Sequence, residues 1–298
     1  MLFDHLDEAL ADKATLTRPE LEAFRIGNET RKLIDRTKGI WNPSDLEATL
    51  SIMSTSDGPY SDEQVSDSVF AYAYRKDNPE GDNTKLRRAF ELKLPIVWLR
   101  KIRKGVYFPA YPVYVIDDDR RNQRFLVSLV KPLETPETPE NAPLQREYAN
   151  RITKQRLHQA EFRGRVLLAY DHRCAVCGLT LGKLLDAAHI VADGKPNGTP
   201  TVDNGLSLCK IHHAAYDADY LGISPDSEIR IQPKIMKISG DEMLLHTLQK
   251  LDRTSLSRPS RTKDRPSPER LAERFDEFTE NNRPISERYK ETHQPANS

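Results

Sequence analysis

The sequence feature that most constrains the fold is a block from residue 170 to residue 217, which holds all three cysteines of the chain and four of its eight histidines. In order, its chemically distinctive residues are Cys174, Cys177, Asp186, His189, Asn204, Cys209, His212 and His213. Because its cysteines, together with a histidine, form two separated pairs, the block predicts a compact, metal-stabilised fold.

Zinc takes four nitrogen or sulfur ligands in a tetrahedron, and pairs on tight turns supply them readily. Cys174 and Cys177 form one pair, and Cys209 forms the other with His212 or His213. Because Cys209 and His212 repeat the spacing of the first pair, we assign these two to the structural zinc and leave His213 free. The alternative is three ordinary buried thiols, which the arrangement in two pairs disfavours.

Composition places this block in an ordinary soluble chain. Its 298 residues suffice for two domains, with 37% apolar and 30% charged residues. The sequence shows no apolar run of membrane-spanning length and no signal pattern at its N-terminus, so we expect a cytoplasmic protein without a membrane partner. An odd number of cysteines with a Cys-x-x-Cys pair fits metal binding in a reducing compartment.

The net charge is zero, with 45 acids and 45 bases, but the charges are unevenly distributed. A basic stretch precedes and enters the cysteine block, and its bases are Arg151, Lys154, Arg156, Arg163, Arg165, Arg173 and Lys183. Such a surface suits a polyphosphate backbone, although a solvated helix face is the simpler explanation for any single arginine.

The first 130 residues predict an α+β domain with a small, curved, barrel-like sheet. Residues 1–40 have helical spacing, with Thr17 and Glu20 as a capping box. Branched and aromatic residues predict later strands at residues 69–74, 95–99, 111–116 and 124–129, and a helix at 84–94.

The proline-rich, acidic segment 131–143 predicts a linker between this domain and a second one at 144–298. We expect the second domain to begin with a long helix from about residue 144 to 170 that leads into the cysteine block. Residues 255–268 predict a loop, and residues 269–280 a last amphipathic helix before a polar tail.

Residues 170–220 resemble an HNH, or ββα-metal, nuclease domain: a hairpin with the first histidine, a loop with the asparagine and a helix with the last histidine. The resemblance implies that His189 is the general base, that Asn204 orients it through the backbone or the ring, and that His213 binds the catalytic Mg²⁺ or Mn²⁺ in a one-metal mechanism.

Many family members carry an acidic metal ligand immediately before the base, where this chain has Ala188. Asp186 lies two residues earlier on the predicted strand, so it shares a face with that position. We therefore nominate Asp186 as the second metal ligand, direct or through water, and Asp217 as a support for His213. The alternative is a degenerate HNH fold that only binds DNA.

Residues 58–116 resemble, more faintly, the SRA fold, a PUA-like curved barrel that flips and reads a modified cytosine. The resemblance implies that Tyr60 and Tyr72 stack on the flipped base and that Asp62 or Glu63 meets its Watson–Crick edge. For either tyrosine alone, ordinary packing in a sheet is the simpler interpretation.

Together these resemblances imply a modification-dependent restriction endonuclease, which cuts double-stranded DNA near 5-methylcytosine or a related base such as 5-hydroxymethylcytosine. Because two strands must be cut and each chain has one active site, we expect a homodimer. One alternative is a nicking or structure-specific HNH nuclease without modification dependence. Another is a non-catalytic reader of modified DNA.

Overall fold

The structure is a computed structural model that describes residues 2–55, 63–64, 69–74, 81–131 and 142–283. Its residue contacts divide the chain into two compact units, Met1–Gly164 and Arg165–Ser298. Each unit has its own helices, strands and buried residues, and each is described by itself below. The expected α+β fold class is confirmed.

The N-terminal unit combines short helices with a curled sheet. In chain order its elements are α1 (Leu2–Leu10), β1 (Leu16–Thr17), α2 (Arg18–Glu22), β2 (Phe24–Ile26), β3 (Glu29–Arg31), β4 (Ile40–Trp41), β5 (Ser51–Thr55), β6 (Glu63–Gln64), β7 (Val69–Ala73), α3 (Gly81–Glu91), β8 (Pro95–Arg103), β9 (Val106–Asp119), β10 (Arg124–Ser128) and most of α4 (Ala142–Ala169), whose last residues belong to the C-terminal unit. The strands and the helix predicted between residues 69 and 129 are therefore confirmed.

The sheet curls into a half-barrel. Its strand order is β4-β5-β8-β9-β10-β7-β6, with β1 added to β9. Neighbouring strands are antiparallel except β5 and β8, which run parallel. Register shifts interrupt the pairing of β9 with both β8 and β10, and such bulges increase local bend and twist.

Both faces of this sheet are buried, as alternate residues of β8 show. Ile96 and Trp98 belong to a core cluster that includes Leu86 of α3, whereas Val97 and Leu99 belong to a second cluster. Side chains on a strand alternate between faces, so an unbroken apolar run is what a strand buried on both sides requires.

The helix expected through residues 20–34 is wrong beyond Glu22. The chain instead forms the hairpin β2–β3, in which Phe24 pairs with Arg31 and Ile26 with Glu29. Gly27 has φ +60° in its turn, a backbone conformation that glycine adopts at little cost. The expected capping box is present, with the Thr17 N–H donating to Glu20 Oε2 at 2.7 Å.

The long helix α4 confirms the helix expected at about 144–170, but the contact-based division of the chain falls near its end, after Gly164. Leu157 of α4 belongs to the same core cluster as Trp98. Most of the predicted linker, residues 132–141, lies outside the described residues. A domain boundary at 131–143 therefore stays a prediction.

The C-terminal unit is built on two hairpins and three helices. Its elements after α4 are β11 (Leu185–His189), β12 (Gly205–Cys209), α5 (Lys210–Asp217), β13 (Leu221–Ile223), β14 (Ile229–Ile231), α6 (Glu242–Thr247) and α7 (Pro268–Asn282). β11 pairs antiparallel with β12, and α5 begins directly after β12. The hairpin, loop and helix expected between residues 185 and 217 are present in this order.

Helix α7 confirms the amphipathic helix expected at 269–280. The Ser267 hydroxyl accepts a hydrogen bond from the Arg270 N–H at 3.3 Å, and Pro268 occupies the first turn. Both features are typical of a helix N-terminus. Leu271 and Phe278 are buried, and the Phe278 ring leaves no room for a side chain at Gly222 of β13.

No described helix is both long enough and apolar enough to cross a membrane.

Candidate functional site: a cysteine and histidine cluster beside a nuclease hairpin

Three cysteines and one histidine converge in the C-terminal unit. One ligand atom from each residue lies within 4.8 Å of those of the others, and the residues are Cys174, Cys177, Cys209 and His212. Among the described residues, this is the group of metal-ligating side chains with such a spacing. The sequence-based assignment of His212, rather than His213, to this group agrees with the geometry.

Tight turns bring the sulfur atoms of this cluster together. The Gly178 N–H donates to the Cys174 carbonyl at 2.9 Å, and the Cys174 N–H donates to the Leu179 carbonyl at 2.9 Å. Gly178 has φ +74°, which closes the turn after Cys177 without a steric penalty. Cys209 ends β12, so its partner His212 lies in the first turn of α5.

The orientation of His212 is set by a carbonyl outside the cluster. Its Nε2 lies 2.9 Å from the Thr247 oxygen, to which it donates, so Nδ1 faces the sulfur atoms of Cys209 at 3.1 Å and Cys174 at 3.5 Å. A ligating histidine commonly donates its second N–H to a carbonyl in this way. Sequence reasoning did not find Thr247, because its role depends on a backbone oxygen that carries no residue signature.

The thiols of the cluster are close enough to shift one another's pKa. Hydrogen bonds from Cys209 and then His212 outweigh burial and lower the pKa of the Cys174 thiol to about 3. The same contact between the two thiols raises the pKa of Cys209, because its hydrogen bond to Cys174 favours the protonated form. Three sulfur donors and one nitrogen donor this close together are the donor set of a structural metal site, which binds cysteines as thiolates.

His189 ends β11 opposite Gly205, at the other end of the hairpin from Cys209. Its ring is half-buried, and burial lowers its pKa, as does the nearby His213, while Asp193 has the opposite effect. The imidazole is therefore held toward its neutral form, which can accept a proton.

Asn204 is completely buried and holds the backbone just after His189. Its Oδ1 accepts from the Val191 N–H at 2.9 Å, and its Nδ2 donates to the carbonyls of Val191 and Thr199, both at 3.0 Å. The Ile190 N–H donates to the Asn204 carbonyl at 2.9 Å. The sequence left open whether Asn204 orients His189 through the backbone or through the ring. These contacts favour the backbone.

Asp186 and His213 approach each other from β11 and α5. Asp186 Oδ2 lies 3.6 Å from His213 Nδ1, and Asp217 Oδ2 lies 3.4 Å from His213 Nε2. A carboxylate and an imidazole at this spacing could share a divalent cation, for which they are suitable ligands. The contact of Asp217 with His213 is the one expected from its position one helical turn later.

Lys210 lies next to the Asp186–His213 pair, and sequence reasoning missed it. Its ammonium forms an ion pair with Asp186 Oδ2, the same oxygen that faces His213. Lys210 is the first residue of α5, directly after Cys209. That position inside the second metal-binding pair is the signal that could have drawn attention to it.

The residues nominated for a modified-base pocket are only partly described. Tyr60 and Asp62 lie outside the described residues, and Glu63 is described as part of β6 without its side chain. Tyr72 of β7 is 2% exposed, and its hydroxyl lies 2.9 Å from the Gly39 carbonyl oxygen. The ring is thus part of a hydrophobic core, and its role in stacking on a base stays a prediction.

Comparison with known proteins agrees with this geometry. Residues 174–224 match the family model described as HNH endonuclease, and this span includes the cysteine and histidine cluster, the β11–β12 hairpin and the Asp186–His213 pair. This part of the chain is an HNH endonuclease domain. The chain that carries it is a metal-dependent DNA endonuclease.

Solved structures show weaker likeness over longer spans. The modification-dependent restriction endonuclease TagI is 15% identical, covers 76% of this chain and 81% of its own, and has a TM-score of 0.30. The SUVH5 SRA domain in complex with hemimethylated CG DNA is 21% identical, and the match covers 42% of this chain and 89% of the SUVH5 chain. Its TM-score is 0.26.

A third structure, the type IV phosphorothioation-dependent restriction endonuclease ScoMcrA, is 14% identical, covers 67% of this chain and 54% of its own, and has a TM-score of 0.20. A search of curated protein sequences found no significant match.

Proposed function

We propose that this protein is a modification-dependent restriction endonuclease. Its HNH domain hydrolyses phosphodiester bonds in duplex DNA near a modified cytosine, which the N-terminal unit binds after flipping it out of the stack. The observation that carries the nuclease half is the hairpin that joins His189, Asn204 and the Asp186–His213 pair within the family match.

His189 is the general base in this proposal. A half-buried imidazole with a lowered pKa is neutral at physiological pH and can take a proton from the attacking water. Asn204 fixes the backbone on which His189 stands, so the ring is held in one place before DNA binds.

Asp186 and His213 would hold the catalytic Mg²⁺ or Mn²⁺, which supplies positive charge for the scissile phosphate and the departing oxygen. Asp217 holds the other ring nitrogen of His213, and so fixes the ring orientation. The ion pair from Lys210 neutralises Asp186 in the absence of a cation.

Cys174, Cys177, Cys209 and His212 would hold a structural Zn²⁺. The four donors with an oriented histidine match the tetrahedral sites that zinc prefers. The adjacent His212 and His213 therefore bind different metal ions in this proposal.

The reading of modified DNA is proposed for the curled sheet of the N-terminal unit. Strand β6, which carries Glu63, pairs with β7, which carries Tyr72, so these two residues belong to neighbouring strands of one sheet. In the proposal, Tyr60 and Tyr72 stack on the flipped base, and Asp62 or Glu63 pairs with its edge. A homodimer would supply one active site for each strand.

The burial of Tyr72 favours a second candidate, an HNH nuclease without modification dependence, because a ring inside the core offers no free face to a base. One experiment separates the candidates. Plasmids that are unmodified, fully CpG-methylated or hydroxymethylated are incubated with the protein and Mg²⁺ or Mn²⁺, and nicked and linear products are resolved on a gel.

Cleavage of modified plasmids alone supports the proposal, and equal cleavage of all three supports the second candidate. Binding to modified DNA without any cleavage would leave a non-catalytic reader. Tyr60→Phe, which keeps an aromatic face, is the matched control for Tyr60→Ala. If Tyr60→Ala discriminates between the plasmids as well as the parent protein does, Tyr60 has no part in the pocket.

A further inference from the structure

The loop between β11 and β12 is attached to a helix far away in sequence. This loop, residues 192–203, precedes Asn204, and helix α7 begins 64 positions later, at Pro268. Arg270, Glu273 and Glu277 of α7 all contact the loop. Their spacing of three and four residues puts them on one helix face, toward which the loop side chains reach.

Arg270 makes the densest set of these contacts. Its guanidinium donates to the Asp203 carboxylate at 2.6 Å, the Thr199 hydroxyl at 2.9 Å, the Asn197 carbonyl at 3.1 Å and the Thr201 hydroxyl at 3.2 Å. Its side chain is 18% exposed. One planar, multiply hydrogen-bonded group thus holds four residues of one loop, a use for which arginine is suited and lysine is not.

Two of those four residues also contact Asn204 directly. The Asn204 side chain donates to the Thr199 carbonyl at 3.0 Å, and the Asn204 N–H donates to the Thr201 carbonyl at 3.0 Å. The contacts therefore form a continuous chain from Arg270 through the two threonines to Asn204, and from Asn204 to the backbone after His189.

The other two residues of the α7 face strengthen the attachment. The Asn197 side chain donates to Glu273 Oε2 at 3.0 Å, and Lys195 forms an ion pair with Glu277. At the start of the helix the Ser267 N–H donates to the Asp203 carbonyl at 2.9 Å. The opposite side of α7 is anchored by Phe278, which packs on Gly222.

We propose that Arg270 is a positioning residue for catalysis, which holds the 192–203 loop so that Asn204 keeps His189 in its reactive place. This inference rests on the proposed roles of His189 and Asn204. Arg270 itself lies outside residues 174–224, the span of the family match. Because Arg270 acts through other residues, it needs no contact with DNA or metal.

The test compares Arg270→Ala, Arg270→Lys and the control Arg230→Ala in the full-length protein, with cleavage of modified plasmid as the readout. Arg230 is a partly exposed arginine whose ion pairs are with Glu228 and Asp252, both outside the loop. We expect Arg270→Ala to lower kcat by about tenfold or more, as removal of a supporting contact typically does. KM for DNA should stay within about twofold, because ground-state binding is unchanged.

Arg270→Lys should recover part of the lost kcat, because an ammonium can pair with Asp203 but cannot hold both threonines. Arg230→Ala should match the parent protein. A raised KM with unchanged kcat would make Arg270 a DNA contact and overturn the proposal, as would no change in either constant.

Zinc content and thermal melting of each variant are measured in parallel. If Arg270→Ala does not fold, Thr199→Val removes one guanidinium contact and leaves the carbonyl that receives Asn204; a several-fold fall in kcat is expected, and an unchanged kcat would overturn the proposal. Failure of the proposed function is distinguishable from failure of this inference. If His189 is not the base, His189→Ala keeps full activity. With His189→Ala inactive, a fully active Arg270→Ala removes only this inference.

Discussion

Asn204 and Val191 are joined by a reciprocal pair of hydrogen bonds: the Val191 N–H donates to Asn204 Oδ1 at 2.9 Å, and Asn204 Nδ2 donates back to the Val191 carbonyl at 3.0 Å. This pair fixes the chain two residues after His189. Asn204 therefore contacts the backbone just after His189.

Asn204→Ala should therefore damage stability as well as activity. The substitution leaves the buried Val191 N–H and carbonyl without these partners, which costs about 1–3 kcal/mol for each unsatisfied group. Urea unfolding of the full-length protein measures the loss, and cleavage measures kcat. A variant as stable and active as its parent would show that the pair is unimportant.

His189→Ala should abolish metal-dependent cleavage while the fold and zinc content persist. Loss of a general base typically costs about 10²–10⁴-fold in rate. His246→Ala is the matched control, because His246 is exposed on α6 and pairs only with neighbours such as Glu242. Full cleavage by His189→Ala would remove His189 from the role of base.

His212→Ala should remove the zinc and His213→Ala the cleavage activity, although the two residues are adjacent. His212→Ala removes a donor from the cysteine cluster, so we expect loss of bound zinc and unfolding of the C-terminal unit. His213→Ala should keep about one zinc ion per chain and lose cleavage. Metal analysis after gel filtration in metal-free buffer, with circular dichroism, separates the two; loss of zinc from both variants would contradict the assignment.

Asp186→Asn should weaken the catalytic metal site. We expect the Mn²⁺ concentration for half-maximal cleavage to rise about 10–100-fold. Lys210→Gln should lower that concentration, because the ammonium that pairs with Asp186 no longer competes with the cation. Titration of cleavage with Mn²⁺ gives both values, and an unchanged requirement in Asp186→Asn would exclude this carboxylate as a ligand.

The pH dependence of cleavage should report the lowered pKa of His189. A base acts when it is neutral, so activity rises as pH increases through the pKa and falls below it. Because burial lowers this pKa from 6.5, more than half of the plateau activity should remain at pH 6.5. The charge of Asp193 raises the pKa of His189 and so opposes the effect of burial. Asp193→Asn should therefore move the acid limb of single-turnover kcat/KM to still lower pH. An acid limb above pH 6.5 in the parent protein would contradict the prediction.

The order of motifs made the nuclease hairpin predictable from sequence. Cys174, Cys177, Cys209 and His212 were assigned by their spacing, and β11, β12 and α5 were expected from the resemblance of residues 170–220 to an HNH domain. The strands of the N-terminal unit were predictable for a similar reason, because apolar runs such as residues 95–99 are buried on both faces of a sheet.

Other features depend on contacts that sequence spacing does not encode. The hairpin at residues 24–31 carries apolar residues at intervals that also suit a helix, and Gly27 decides the outcome through its positive φ. The depth of Tyr72 in the core depends on the closure of the whole sheet. Arg270 meets its loop partners only after the chain has folded back across about seventy residues, beyond any local pattern.

The Phe278 ring lies where a side chain at Gly222 would have to be, with ring atoms 2.6–2.8 Å from the position of a Cβ. Gly222 lies within the matched HNH span, which ends at residue 224, whereas Phe278 lies beyond it. A nuclease module cut from this chain at the borders of the family match would expose this glycine strand and lose the helix that covers it. Anyone who grafts this nuclease onto another DNA-binding protein should therefore transfer the chain through Asn282.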